Sequence, residues 1–543
     1  MAEFGALNWA IVLAYLFGNL GLGWLMSRRV KSSDDYYLGD RSAPWWAIGI
    51  SVIATYVSAL SFLGAPAWAY GDGMAALAIH INYPLVIIVV IAVFLPFFYN
   101  SGVASIYEYL ERRFGKTSRL VMSALFLVTQ AITTASILTA TAIVISFVTG
   151  LPTLHAIGII TVIVLIYTLL GGMNAVIWTD VLQGIILFIG ATVVFAKLLD
   201  ATAPFSGALS QLADADKLDP LRTELDFSVA PTVWAGVFAM TLFHITVYGG
   251  NQMMVQRALA AKSIGDAKKS YLMMGYGAFF IYFFFFFIGA LLYVHFDGKP
   301  FAQTNEIILV FAENLAIPGL MGIITAAVMS ASMSTMSSAL NSLSTVSVID
   351  FYRRLFKQNA SEVHYLFASR VFTLIWALSI IPIALAFLSS GGSILETLTA
   401  VGSYLVGSKL AMFGLGFFSK HTTERGLLIG VVAGFLALFI VVQGIPGTGI
   451  GPANIAWPWY VVIGGGVNIL VGWGASLLLD GKQLNWHPET IPGQRAAFEA
   501  GHRPIIGEDG WYFLPGRVEK AAWPLIGFFA LTIAALAWFG TLG

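Results

Sequence analysis

The sequence predicts an all-α integral membrane protein of about fourteen transmembrane helices. Three observations carry that prediction. The chain of 543 residues is 58% hydrophobic and only 10% charged, too apolar for a soluble protein of this length. Its apolar residues gather into runs long enough to cross a bilayer. Its basic residues sit between alternate runs, as the positive-inside rule requires.

The runs fall near 7–26, 45–69, 75–99, 118–148, 152–170, 175–199, 231–258, 270–294, 318–348, 364–388, 393–418, 424–444, 456–479 and 521–541. The first is a retained span. No basic region precedes Leu7, and Ser27-Arg28-Arg29 follows Met26 where a cleavage site needs small residues. With the N-terminus outside, the inner loops hold Arg28, Arg29, Lys31 and Arg41, then Arg112, Arg113, Lys116 and Arg119. Arg257, Lys262, Lys268 and Lys269 follow, and the remaining inner loops bring the total to 23 of the 28 basic residues. The outer loops hold Lys217, Arg222 and Lys299. An even number of spans with both termini outside follows, and the lipid bilayer is the first partner. The long acidic loop 200–230 lies outside, and the polar loop 480–520 lies inside. Ile307, Ile308, Leu309 and Phe311, between Glu306 and Glu313, fit a short surface helix.

Composition also excludes. Zero formal net charge gives no reason to expect a nucleic-acid partner. The absence of cysteine removes disulfides, thiolate metal sites and cysteine nucleophiles. No phosphate-binding Gly-x-x-x-x-Gly-Lys motif and no zinc spacing occurs, and no nucleophile–base pair is evident in the spans, so the chain does not read as an enzyme.

The polar residues within spans are few and patterned. Ser334, Ser337, Ser338 and Asn341 recur at helical spacing on one face, flanked by Thr335. A stripe of neutral oxygens at membrane depth glues helices together or holds a hard cation such as Na⁺. Two spans are interrupted. One runs Ser51 to Ser61 and then Gly64-Ala65-Pro66; the other runs Phe243 to Gln252 through Gly249-Gly250. They lie five spans apart. Paired broken spans point to an inverted-repeat transporter, and ordinary kinked helices are the alternative. A broken helix frees carbonyls that a cavity can use.

Asp34-Asp35-Tyr36-Tyr37-Leu38-Gly39, the 104–114 stretch with Glu108-Tyr109-Leu110-Glu111-Arg112-Arg113-Phe114, Trp178-Thr179-Asp180-Val181-Leu182-Gln183, Gln256-Arg257 and Ser334-Thr335-Met336-Ser337-Ser338-Ala339-Leu340-Asn341 together resemble the sodium/solute symporter family from residue 7 to about 445. The motifs look most like the iodide, monocarboxylate and vitamin branch and the bacterial sugar and sialic acid symporters. The resemblance implies a leucine-transporter-like fold with a five-plus-five inverted repeat. Residues 1–44 would be an extra span and loop, 45–199 and 231–418 the repeats, and 419–543 three further spans. It implies sodium-coupled import of a small polar or anionic organic solute by alternating access, across the plasma membrane of a bacterium.

The resemblance also implies residue roles. A sodium ion would take the backbone carbonyls of Ala54, Val57 and Ala331 and the hydroxyls of Ser334 and Thr335. A second sodium would take Asp180, Ser334, Ser337 and Ser338. An ionised aspartate in a span costs about 2.5–3.5 kcal/mol on insertion scales, so a cation is a natural partner; a structural or gating role for Asp180 is the alternative. The solute would meet Tyr56, Ser58, Ser61, His80, Thr133, His244, Val247, Tyr248 and Thr399. The acidic residue that sugar transporters place at His80, their lysine at Ala278, and the arginine that sialic acid transporters place at Thr133 are all absent. His80, His244 and the intramembrane Lys409 offer donors to a small anion instead, although each histidine also suits a satisfied core position and Lys409 could snorkel or pair with Glu396. The Phe279–Phe287 run reads as packing or lipid-facing surface. A sodium-driven sugar transporter, a sodium-independent facilitator or channel, and a transporter-like sensor are the other readings. A monomer or homodimer is expected.

Overall fold

The computed structural model describes residues 4–28, 33–301, 304–389, 394–445 and 451–542. It is helical, and among the described residues the only β pairing is two isolated bridges. Ten helices there are long and apolar enough to cross a membrane, and four shorter apolar helices accompany them.

The first helix, α1 (Ala6–Ser27), is followed by the short α2 (Ser33–Leu38). The predicted second span is two helices, α3 (Trp45–Tyr56) and α4 (Ala59–Asp72), broken at Val57, whose ψ of 86° leaves the helical region. A tight helical turn at Gly73–His80 leads into α5 (Tyr83–Val89) and α6 (Leu95–Ser101). The short α7 (Ile106–Arg113) starts on a Ser105 cap, and α8 (Lys116–Thr149) crosses back.

Next, α9 (Thr153–Ala201) covers two predicted spans joined across a kink at Gly172. Its φ of 53° and ψ of −150° are ready only for glycine, and a Cβ there would stand 2.7 Å from the Tyr36 carbonyl oxygen. The expected outer loop folds in part as α10 (Phe205–Asp214). The seventh span is again broken, into α11 (Met240–Gly249) and α12 (Gln252–Leu259). There the Asn251 side chain accepts from the Met253 N–H at 3.0 Å and caps the second piece.

After α13 (Ile264–His295), the surface helix α14 (Ile307–Leu315) buries Ile307, Ile308, Leu309 and Phe311. Then α15 (Leu320–Val346) passes through the middle of the molecule. Every side chain from Ile324 to Val346 is buried, although the segment is rich in hydroxyls. It packs on α1, α3, α8, α9 and α16 (Glu362–Ser389). A helix polar enough for water and enclosed on all sides has to satisfy its hydroxyls internally, and it does so mostly on its own carbonyls and on neighbouring helices.

The chain closes with α17 (Ile394–Phe418), α18 (Glu424–Gln443), α19 (Tyr460–Leu479), α20 (Ile491–Ala500) and α21 (Trp523–Phe539). The 480–520 segment folds back on the bundle. Asn100 donates to the Phe513 carbonyl at 2.7 Å, and Lys268 pairs with Glu519 in a buried contact. Lys268 is thus not a free loop charge. The phenylalanine run of α13 is chiefly a packing surface: Phe285, Phe286 and Phe287 are buried, and Phe280 is the exposed ring.

Candidate functional site

Both helix breaks meet α15 or its neighbours near the centre of the bundle. At the first, the Ser58 N–H, which in an unbroken helix would go to Ala54, goes to the Tyr56 carbonyl at 3.1 Å. The Ser61 N–H, which would go to Val57, goes to Ser58 at 2.9 Å. The break thereby releases the carbonyls of Ala54 and Val57 from their helical donors. Thr335 on α15 lies against it, its hydroxyl donating to the Thr55 carbonyl at 3.0 Å and to Ala331 at 3.2 Å. Ser334 turns the other way and donates to Asp180 Oδ1 at 2.6 Å.

Asp180, on α9, is fully buried. Its Oδ2 accepts from Ser51 at 2.6 Å, from Thr55 at 3.3 Å and from Arg257 Nη2 at 3.2 Å. Arg257 is fully buried too, which corrects its assignment to an inner loop. Its guanidinium also donates to Ser51 at 2.9 Å, to the Met253 carbonyl at 2.6 Å and to Ser338. A buried carboxylate needs a cation or several donors, and Asp180 has both. Ser338 joins this network, whereas Ser337 donates back to the Ser334 carbonyl at 3.0 Å. Beside Arg257 on α12, Gln256 donates to the Tyr37 carbonyl, to Asn341 and to Thr345, at 2.8, 2.9 and 3.1 Å. Arg257 and Gln256 together form a polar seam that joins α12 to α2, α3, α9 and α15.

The solute positions separate into those brought together and those left apart. Tyr56, His80, His244 and Tyr248 share one ring cluster with Tyr83 and Tyr282, two residues not singled out in the sequence. His80 stacks on Tyr282 at 3.7 Å, and Tyr83 on His244 at 4.7 Å. Asn82 fixes the orientation of His244. Its amide donates to the Gly236 carbonyl at 2.9 Å, so its oxygen faces His244 Nδ1, also at 2.9 Å. Nδ1 then carries the proton, and Nε2 accepts from the Tyr56 hydroxyl at 3.1 Å. His80 Nδ1 pairs with the Tyr83 hydroxyl at 3.1 Å. The Tyr248 hydroxyl is buried with no hydrogen-bond partner.

Ser58 is buried at the break, Ser61 and Val247 are half-buried beside the cluster on α4 and α11, and half-buried Thr133 stands on α8 outside the ring contacts. The side chains of Thr399 and Glu396 lie outside the described residues. Lys409 is 7% exposed, with its amine 5.5 Å from the ring centre of Phe126. Among the described residues, no group of three or more His, Asp or Glu is placed to hold a metal ion, so an ion here would depend on carbonyls and hydroxyls.

Residues 36–434 match the sodium:solute symporter family. The chain belongs to that family. As a member it couples the movement of a solute to that of sodium, and Na⁺ is its coupling ion. Among the similar proteins of the family is a sodium/sialic acid symporter of Proteus mirabilis, 29% identical over 495 residues, which cover 89% of this chain and 97% of that one. Sodium-coupled monocarboxylate transporter 2 of Bos taurus is 28% identical, over 82% of this chain and 74% of its own. The solved structure of a Na⁺-coupled sialic acid symporter, substrate-bound and outward-open, superposes with a TM-score of 0.80 at 27% identity, covering 88% of this chain and 99% of that one. These relatives are multi-pass membrane transporters, and this symporter shares their helical architecture.

Proposed function

We propose that this symporter imports a small polar or anionic organic solute with sodium by alternating access. The reading uses fourteen spans, with 45–199 and 231–418 as inverted repeats, one span before them and three after, and both termini outside. It assigns no enzymatic activity and no nucleic-acid partner, and it needs no more than a monomer or homodimer in a bacterial plasma membrane.

The observation that carries it is the pair of released carbonyls, Ala54 and Val57, with Thr335 lying against the break; Ser334, which donates to Asp180 in this structure, would turn to complete the set. With the Ala331 carbonyl they make five neutral oxygens, a donor set suited to Na⁺ and weak enough to let it leave. Along the same break the proposed solute residues alternate with the ion ligands: Tyr56 and Ser58 flank Val57. An ion that orders this stretch also presents the Tyr56 hydroxyl to His244. Ion and solute then favour the same arrangement, which is the coupling a symporter requires. Asp180 acts as a structural and gating residue held by Arg257; a second sodium beside Asp180, Ser334, Ser337 and Ser338 would have to compete with that guanidinium.

The test is uptake into proteoliposomes of labelled sugars, monocarboxylates, amino acids and vitamins, with and without an inward Na⁺ gradient. The wild type accumulates one class against its gradient, and Ser334→Ala/Thr335→Ala loses that accumulation. Sodium-independent equilibration, unchanged in the variant, would sink the ion site and leave a facilitator.

A further inference from the structure

Lys409, offered by the sequence as a donor to a small anion, stands outside the ring cluster and the proposed ion ligands. It is nine-tenths buried and forms no ion pair among the described residues; its amine faces the Phe126 ring. Glu396 stands thirteen residues earlier on the same helix, a helical rise of about 20 Å. A buried ammonium without a counter-ion is unfavourable, and in a membrane span it marks a functional position.

The position of Lys409 follows from its helix neighbours. A Cβ on Gly250, at the second break, would stand 2.9 Å from Phe413 Cδ2, so α17 packs on that break. Both helices run toward α7: Gln252 accepts from the Ile106 N–H, and Arg113 donates to the carbonyls of Gly416 and Ser419. Lys409, one turn before Phe413, is therefore level with the α11 turn that bears His244 and Tyr248. Two hydroxyls near this level are buried without partners: that of Tyr248, and that of Tyr107, whose ring lies 5.6 Å from Phe126. The ring cluster itself is built of tyrosine and histidine and brings no carboxylate.

We propose that Lys409 is the cation that selects an organic monoanion, a carboxylate, as the solute of this symporter. This rests on the solute-import reading above. A carboxylate supplies the counter-charge that the described residues do not, and does so only when bound. With sodium also bound, an anionic solute leaves the loaded core one charge less positive than an uncharged solute would.

The experiment uses the full chain in proteoliposomes under an inward Na⁺ gradient. The probes are acetate, propionate and benzoate, each set against its own amide, for uptake and for mutual competition. In the wild type the acids are expected to outcompete the amides by about tenfold or more. Lys409→Met removes that preference and leaves sodium activation of any residual flux in place, whereas Lys409→Arg keeps the preference. Equal handling of acid and amide by the wild type, no carriage of or competition by any of the acids, or a preference surviving in Lys409→Met would each overturn the proposal. Acid uptake that ignores sodium would instead overturn the symport reading and leave the role of Lys409 standing. Monodisperse elution of both variants separates loss of selectivity from loss of fold.

Discussion

At the scale of single residues, the ion pair of Asp180 and Arg257 is the most demanding feature. Each is fully buried and each satisfies the other. Asp180→Asn removes the countercharge and leaves the guanidinium stranded, a loss of about 3–5 kcal/mol by analogy with other broken buried pairs. Asp180→Asn/Arg257→Met removes both charges and is expected to recover most of that loss. Thermal unfolding of the four proteins in detergent gives the double-mutant cycle, and additive effects would mean that the two groups do not couple. The pair also shows where sequence reading stops. Asp180 announced itself as an acid inside an apolar run. Arg257 looked like one more basic residue at a span end, because the break at Gly250-Asn251 moves α12 inward by an amount no local pattern encodes. Tyr282 was hidden differently. It is the single hydroxyl-bearing ring in a phenylalanine run, and only the fold reveals that its stacking partner is His80 rather than lipid.

At the scale of elements, the breaks were legible and their consequences only partly so. Glycine, proline and hydroxyl residues in the second and seventh spans marked both interruptions, because unwound backbone in a membrane needs polar company. Which carbonyls come free depends on the N–H groups of Ser58 and Ser61 turning to other acceptors, a matter of backbone angles. The sequence reads two spans on either side of residues 171–174, and the structure has two helical segments there that meet at the non-helical Gly172. Gly172→Ala would force a left-handed backbone on alanine and drive its Cβ into the Tyr36 carbonyl. A fall in melting temperature is expected, together with weaker protection of the α2 segment in hydrogen exchange. An unchanged exchange pattern would show that α2 is not anchored there.

At the scale of the whole molecule, a charge network joins the ends of several helices. Arg119 bridges Asp350 and Glu111, and Arg354 holds Glu111 from the other side at 2.5 Å. The hydrogen bonds from Arg354, followed by those from Arg119, hold the Glu111 carboxyl below its ordinary range, against a partial opposing effect of burial. Because the folded value lies below the unfolded one, the stabilisation is complete above the usual carboxylate range and fades as pH falls through the lowered value. Limited proteolysis between α7 and α8 should therefore accelerate on acidification in the wild type, and Glu111→Gln should flatten that response. A wild-type profile without pH dependence would remove Glu111 from the set of stabilising groups. The seam made by Gln256 and Arg257 has a different consequence. It ties α12 to four other helices through one buried ion pair and several further hydrogen bonds that share the same groups. Release must therefore be collective, and brief thermal openings of one bond do not become leaks. A seam of this kind opens as a unit or stays shut.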